Sequence, residues 1–270
     1  MSSRSTSPRR RQGIAASQDA AGSAGDQAPS ERLHLVERQL QVYAADVRLA
    51  YRSERQRAEQ LAAALQELTS TYGATVKGFA AAVEAKDSYT AGHIVRVTKY
   101  GLRILELIDP DLVAYPKFEY GFLLHDIGKL AVPDAILRKE GSLTDEEWVL
   151  MRRHSEAGRK ILEGIPFLGG AREIVYSHHE RWDGDGYPRG LKAEQIPFGA
   201  RVFPIADSFD AMTSDRPYRR AMPTSEALEE IRQGSGSQFW PVAVEAFLGI
   251  PIEILESIRE IRMSGRLNGD

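Results

Sequence analysis

Between Glu31 and Tyr72 apolar side chains return every seventh residue, at Leu33, Leu40, Val47, Leu61 and Leu68, with Glu54 breaking the column. A second, weaker column runs through Val36, Tyr43 and Ala50 and shifts by one position to Ala58, Leu65 and Tyr72. With neither proline nor glycine in the stretch, this predicts one long helix with a seam on one side, as in a coiled coil. At 1.5 Å per residue it extends roughly 60 Å, too far to pack usefully on one small domain. Residues 31–75 are therefore expected to pair two chains as a parallel dimer, the other reading being an amphipathic helix folded back on the core.

Beyond Gly73 the periodicity stays helical. GATVKGFAAAVEAK, YTAGHIVRVTKYGLRILELI, FEYGFLLHDIGK, TDEEWVLMRRHSEAGRKILEGI, AREIVYSHHE, GARVFPIADSFDAM and TSEALEEIRQG each read as a helix. Thr144-Asp-Glu-Glu147 has the form of a capping box, with Leu143 and Trp148 placed as a hydrophobic staple. Gly- and Pro-rich loops separate the helices, notably Trp182 to Pro197, and no segment alternates as a strand does. The expected fold is all-α, with a helical domain over residues 76–270. Residues 1–30 hold almost no large apolar side chain and are expected to be a disordered tail, Arg9, Arg10 and Arg11 included.

Composition narrows the chemistry. Of 270 residues, 42% are hydrophobic and 27% charged, as in an ordinary globular protein. A net charge of −3 argues against a nucleic-acid coat. No apolar run is long enough for a membrane span, and no apolar stretch follows the N-terminal arginines as in a secretory signal, so a cytoplasmic protein is expected. The absence of cysteine excludes disulfides, thiolate metal sites and cysteine nucleophiles. Any metal has to be held by histidine and carboxylate.

His34 reads as a solvated helix residue; the other five of the six histidines lie in the helical domain. His125 and Asp126 close an apolar helix just before Gly128. His154 shares a face with Met151, Gly158 and Ile161, His178 follows Ile174 and Val175, and Asp207 and Asp210 fall on the buried face of their helix. Buried imidazoles and carboxylates on several apolar faces are costly unless compensated, and a metal centre compensates them. A carboxylate that bridges two cations roughly 3.5–4 Å apart, with imidazoles as terminal ligands, is the two-metal hydrolytic arrangement. Nitrogen and oxygen ligands leave iron, manganese, nickel, cobalt and zinc open, with magnesium not excluded.

HDIGK (His125 to Lys129), SHHERWDGDGYP (Ser177 to Pro188) and IADSFDAMTSDRPYR (Ile205 to Arg219) resemble the motifs of the HD-GYP family, in a match extending from about Val76 to Leu248. The resemblance implies an HD-domain helical bundle, preceded here by the coiled-coil helix. It also implies hydrolysis of cyclic di-GMP to linear pGpG and possible further cleavage to GMP, with two divalent ions, iron or manganese foremost. By the same resemblance His93 is the first metal-binding histidine and Asp126 the bridging carboxylate. His125 and Asp207 serve one metal; His154, His178 and His179 lie on or beside the other. Lys129 meets the substrate phosphate. Arg216 and Arg219 hold substrate phosphates, surface ion pairs being their other reading, and Asp210 orients a ligand or a water. The loop Asp183, Gly184, Asp185, Gly186, Tyr187 and Pro188 shapes the site and docks a diguanylate cyclase domain, a purely structural loop being the alternative.

Two positions depart from the family pattern. Tyr89 stands where some members carry a glutamate that binds a third metal, and Glu84 lies nine positions before His93, too far along a helix to replace it. Phe239-Trp240-Pro241 stands where the family commonly has Phe-Asp-Pro, losing an aspartate cap of about 1 kcal/mol. The rival functions are a cyclic di-GMP sensor without turnover and an HD hydrolase for another phosphorylated nucleotide. Residues 1–75 leave no room for a receiver or sensory domain, so regulation is expected through the coiled coil, the tail or a partner.

Overall fold

The computed structural model describes residues 27–86, 92–215 and 220–261. Tyr89, Arg216, Arg219 and most of the predicted tail lie outside the described residues. The chain divides into two units, Met1–Glu67 and Leu68–Asp270. A single helix, α1 (Gln27–Lys86), supplies all the described residues of the first unit and enters the second. Leu33, Leu40, Val47 and Leu61 of the heptad column are exposed in the single chain. Gly73 does not end the helix, although a glycine inside one costs about 1 kcal/mol relative to alanine. Burial of Val76, Ala80 and Val83 at helical spacing offsets it.

Among the described residues ten further helices build the second unit: α2 (His93–Ile108), α3 (Pro116–Leu123), α4 (Asp134–Leu137), α5 (Asp145–Arg152), α6 (His154–Leu162), α7 (Gly169–Ser177), α8 (Phe198–Thr213), α9 (Thr224–Gln233), α10 (Pro241–Leu248) and α11 (Ile252–Arg259). The fold is all-α, and no strand occurs among the described residues. No described helix is long and apolar enough to cross a membrane.

Two apolar clusters hold the domain. One joins α2 to α8, α9, α10 and α11 through Val97, Tyr100, Ile104, Phe203, Phe209 and Phe247. The other packs Val76, Ala80 and Val83 of α1 against Leu123, Ile127, Leu162, Leu168 and Val175. The chemistry-bearing residues come from elements of both: His93 opens α2, His125 follows α3, His154 opens α6, His178 follows α7, and Asp207 lies on α8.

Three predicted helices are shorter in the structure, for the same reason. The one expected from Phe118 to Lys129 stops at Leu123, where the His125 ring donates to the Phe122 carbonyl at 2.9 Å. The stretch from Thr144 has its capping box, with the Glu147 amide donating to Thr144 Oγ1 and the Thr144 amide to the Glu147 carboxylate. It then breaks at Arg153 between α5 and α6, where the His154 ring donates to the Met151 carbonyl, 2.7 Å away. Likewise α7 stops at Ser177, where His178 donates to the Val175 carbonyl at 2.7 Å. A side chain that takes a carbonyl one turn back competes with the helix ladder. One glycine fixes how the pieces meet. A Cβ on Gly128 would stand 1.8 Å from the His154 carbonyl oxygen, so only glycine lets the Ile127–Ala131 turn press against the start of α6.

Candidate metal centre

Three histidines are oriented by one device. His125, His154 and His178 donate from Nδ1 to the carbonyls of Phe122, Met151 and Val175, three residues back, at 2.9, 2.7 and 2.7 Å. Carbonyls at a helix end lack partners within the helix, and these rings satisfy one apiece. Each bond fixes the tautomer: Nδ1 carries the proton and Nε2 presents its lone pair to the middle of the domain. The buried ring of Phe203 lies against His125 and His178, with centroids 4.6 and 5.7 Å away, and floors this space.

The potential ligand atoms fall into two groups. Asp126, His154, His178 and His179 form one, and His93, His125 and Asp207 the other; within each, the ligand atoms lie within 4.8 Å of one another. Asp126 faces both groups. Its Oδ2 is 3.1 Å from His125 Nε2, and its Oδ1 is 3.5 Å from His154 Nε2 and 3.9 Å from His178 Nε2. Lys129 Nζ stands 2.8 Å from Asp126 Oδ2.

Burial works against an ionised Asp126, yet Lys129, His125 and His154 hold its carboxyl well below the usual range. Burial likewise opposes charge on His125, but the Asp126 carboxylate raises that imidazole. The three rings beyond Asp126 go the other way. Burial lowers His154, burial with its histidine neighbours puts His178 well below its ordinary value, and His179 is pushed down to about 3. These are neutral imidazoles, as metal ligands have to be.

The donor set fits metal. His154 Nε2 lies 3.2 Å from His178 Nε2 and 3.2 Å from His179 Nε2. With the Nδ1 protons of His154 and His178 committed to carbonyls, two lone pairs face each other across a hydrogen-bond distance without a proton to share. A cation is what such an arrangement accommodates.

His93 is held from behind. Its Nδ1 lies 2.8 Å from Asp210 Oδ2, while its Nε2 lies 3.4 Å from Asp207 Oδ1. Arg96, one turn along α2, donates to both Asp210 oxygens, from Nε at 2.6 Å and Nη2 at 3.0 Å. Burial would raise the Asp210 carboxyl, but its bonds to His93 and Arg96 hold it low. Asp207, expected on the buried face, keeps 31% of its side chain exposed.

The loop after α7 closes another side. Buried Glu180 accepts the amides of Arg189 and Leu191 at 2.8 and 2.9 Å, and Arg181 holds Asp183 with two hydrogen bonds. A Cβ on Gly186 would stand 2.3 Å from the Arg181 nitrogen, so the chain folds back here only as glycine. Tyr187 then stacks on His179, centroids 4.6 Å apart and planes 27° off parallel, beneath the Arg152 guanidinium. The Asp183 amide donates to the Ser237 carbonyl and Trp182 stacks on Trp240, centroids 6.1 Å apart. Trp240 precedes α10 with no capping hydrogen bond, its ring packed instead on Trp182 and Phe198.

The sequence assigns no role to Arg96 or Glu180, and it reads Glu84 as too far from His93 to replace the missing glutamate. Arg96 had one signal, a cation three residues from His93 on an otherwise apolar face. The separation of Glu84 from His93 is not a distance along one helix, because α1 ends at Lys86 and α2 begins at His93. Glu84 lies against the Gly92 and Ile94 amides, 7% exposed, with Oε1 lacking a partner among the described residues and its carboxyl raised by burial.

The HD domain family model matches residues 77–241. A cyclic di-GMP phosphodiesterase of Thermotoga maritima is 44% identical over 178 residues, 65% of this chain and 48% of that protein. The 3'3'-cGAMP-specific phosphodiesterase 3 of Vibrio cholerae is 43% identical over 157 residues, 57% of this chain and 33% of that one. Among solved structures, Bd1817, an HDG"Y"P protein from Bdellovibrio bacteriovorus, aligns with a TM-score of 0.48 and 19% identity over 61% of this chain and 51% of that one. The chain spans about half the length of the curated relatives it matches.

Proposed function

The chain belongs to the HD domain family, and on that footing we propose that it is a metal-dependent cyclic di-GMP phosphodiesterase of the HD-GYP branch. The observation that carries this reading is the seven-residue donor set, two groups of ligand atoms joined by Asp126 with Lys129 beside it. In the proposal His93, His125 and Asp207 hold one divalent ion, and His154, His178 and His179 the other. Asp126, which faces both groups, would be shared between them. Iron or manganese is the foremost candidate.

Bound divalent ions supply Lewis-acid charge to a phosphoryl oxygen and lower the pKa of water. The chain's own groups do the rest. Lys129 brings a point charge to the phosphodiester and meets the charge that grows on the equatorial oxygens. Arg216 and Arg219 hold the substrate phosphates, and Asp210 fixes the ring of His93. Tyr187, over His179, keeps bulk water from that side. The product is pGpG, open to a second cleavage to GMP.

Two further parts of the proposal concern partners. Residues 31–75 pair two chains in the cytoplasm, and the loop Asp183 to Pro188 presents a surface to a diguanylate cyclase domain. The complete donor set and Lys129 favour turnover over a sensor that only binds.

Anaerobically purified chain loaded with Fe(II) or Mn(II) is expected to hydrolyse cyclic di-GMP. Asp126→Ala is expected to lose both the metal and turnover. A panel containing 3'3'-cGAMP and linear pGpG sets the preference. No hydrolysis with either metal overturns the proposal, and hydrolysis of 3'3'-cGAMP alone overturns the substrate assignment.

A further inference from the structure

Lys86 ends α1, six positions before Gly92, and its ammonium has three N–H donors. All three find backbone carbonyls in one turn: Lys129 at 3.1 Å, Leu130 at 3.1 Å and Val132 at 2.9 Å. This is the carbonyl end of the Ile127–Ala131 turn, where a cation is best placed. Asp134 adds a carboxylate oxygen 3.4 Å from the same nitrogen. The clamp is reciprocal: Arg138, past the turn, donates from Nε and Nη2 to the Lys86 carbonyl at 3.2 and 3.0 Å. Lys86 thus closes the end of that turn, and Arg138, at the end of α4, closes the last carbonyl of α1.

The turn so held carries Lys129. The Lys129 carbonyl also receives the Val132 amide, while the Lys129 amide donates to Asp126 and its Nζ reaches Asp126 Oδ2. From Lys86 the path runs through one carbonyl into the backbone that sets where the Lys129 ammonium sits. We propose that Lys86 is a positioning residue, which fixes the Lys129 turn against the end of α1 so that the Lys129 charge meets the phosphodiester in register. This rests on the phosphodiesterase reading for its kinetic consequence, though not for the clamp. It also gives α1 a point of grip on the site, because any shift of the α1 terminus moves three carbonyls of that turn together.

The experiment compares the metal-loaded full chain with Lys86→Met, Lys86→Arg and, as a milder change, Lys86→Gln. Amide hydrogen exchange over residues 127–132 is expected to speed up about tenfold in Lys86→Met, with α2 unchanged and Lys86→Arg restoring protection. In turnover, kcat is expected to fall about 10- to 100-fold with KM and metal content held. In a Lys129→Ala background Lys86→Met should cost nothing further, because a residue that acts through Lys129 has nothing left to position. Unchanged exchange at 127–132 overturns the clamp. Losses that multiply with Lys129→Ala, or fall on metal content, overturn the positioning role. A wild-type chain that turns over no cyclic dinucleotide defeats the phosphodiesterase reading, and the exchange result still decides the clamp.

Discussion

The Nε2 atoms of His154 and His178 stand 3.2 Å apart, and each ring gives its Nδ1 proton to a backbone carbonyl. Without a cation these nitrogens repel, so metal and fold are thermodynamically linked. Chelation is expected to lower the melting temperature. Restoring metal at 1,000 times its dissociation constant adds about 4 kcal/mol to stability. Melting at stepped Mn(II) concentrations measures this, and a melting point indifferent to metal would contradict it.

Arg96→Met removes the guanidinium from Asp210, which is 1% exposed. A buried carboxylate left short of a partner costs about 3–5 kcal/mol, read as a lower urea midpoint. Asp210 also holds His93, so metal affinity should fall by about 10- to 100-fold. Lost stability with unchanged affinity would separate Asp210 from the metal centre.

Gly186→Ala forces a Cβ onto the Arg181 nitrogen and has to reopen the loop, at about 1–3 kcal/mol. Tryptophan fluorescence reports it, since Trp182 at the start of that loop stacks on Trp240. A changed emission and a lower kcat are expected. Gly141→Ala, with nothing near its added carbon, should leave both unchanged.

Trp240→Asp restores the family's Phe-Asp-Pro and tests whether the departure is a defect. The aspartate gains about 1 kcal/mol as an N-cap for α10. It loses the stack on Trp182, the edge contact with Phe198 and the Arg201 guanidinium 5.5 Å from its ring, together worth more than the cap. Net destabilisation by about 1–2 kcal/mol is expected in thermal melts. A more stable variant would show that the stack contributes little.

What the sequence disclosed follows how far each signal reaches along the chain. The helices and the capping box at Thr144 are local, and local rules placed them. Adjacency made His125 with Asp126, and His178 with His179, conspicuous, and the motif resemblance tied them to His93, His154 and Asp207. The partners of Arg96 and Lys86 lie 114 and more than 40 positions away, and the one local signal, the spacing of Arg96 from His93, does not point to Asp210. The reading of Glu84 rests on a distance along one helix, which does not apply where α1 ends at Lys86 and α2 begins at His93. The breaks at Arg153 and Ser177 come from imidazoles taking helix carbonyls, a competition that apolar periodicity does not register.

The bond between His93 and Asp210 joins residues 117 positions apart. In the unfolded chain that closure carries a large entropic cost, which grows only slowly with loop length. An ion held between His93 and Asp207 would act across nearly the same span as a reversible cross-link. Unfolding would then have to open the loop before the helices could separate. The metal-free chain, without that staple, would come apart faster even where its contacts are otherwise the same.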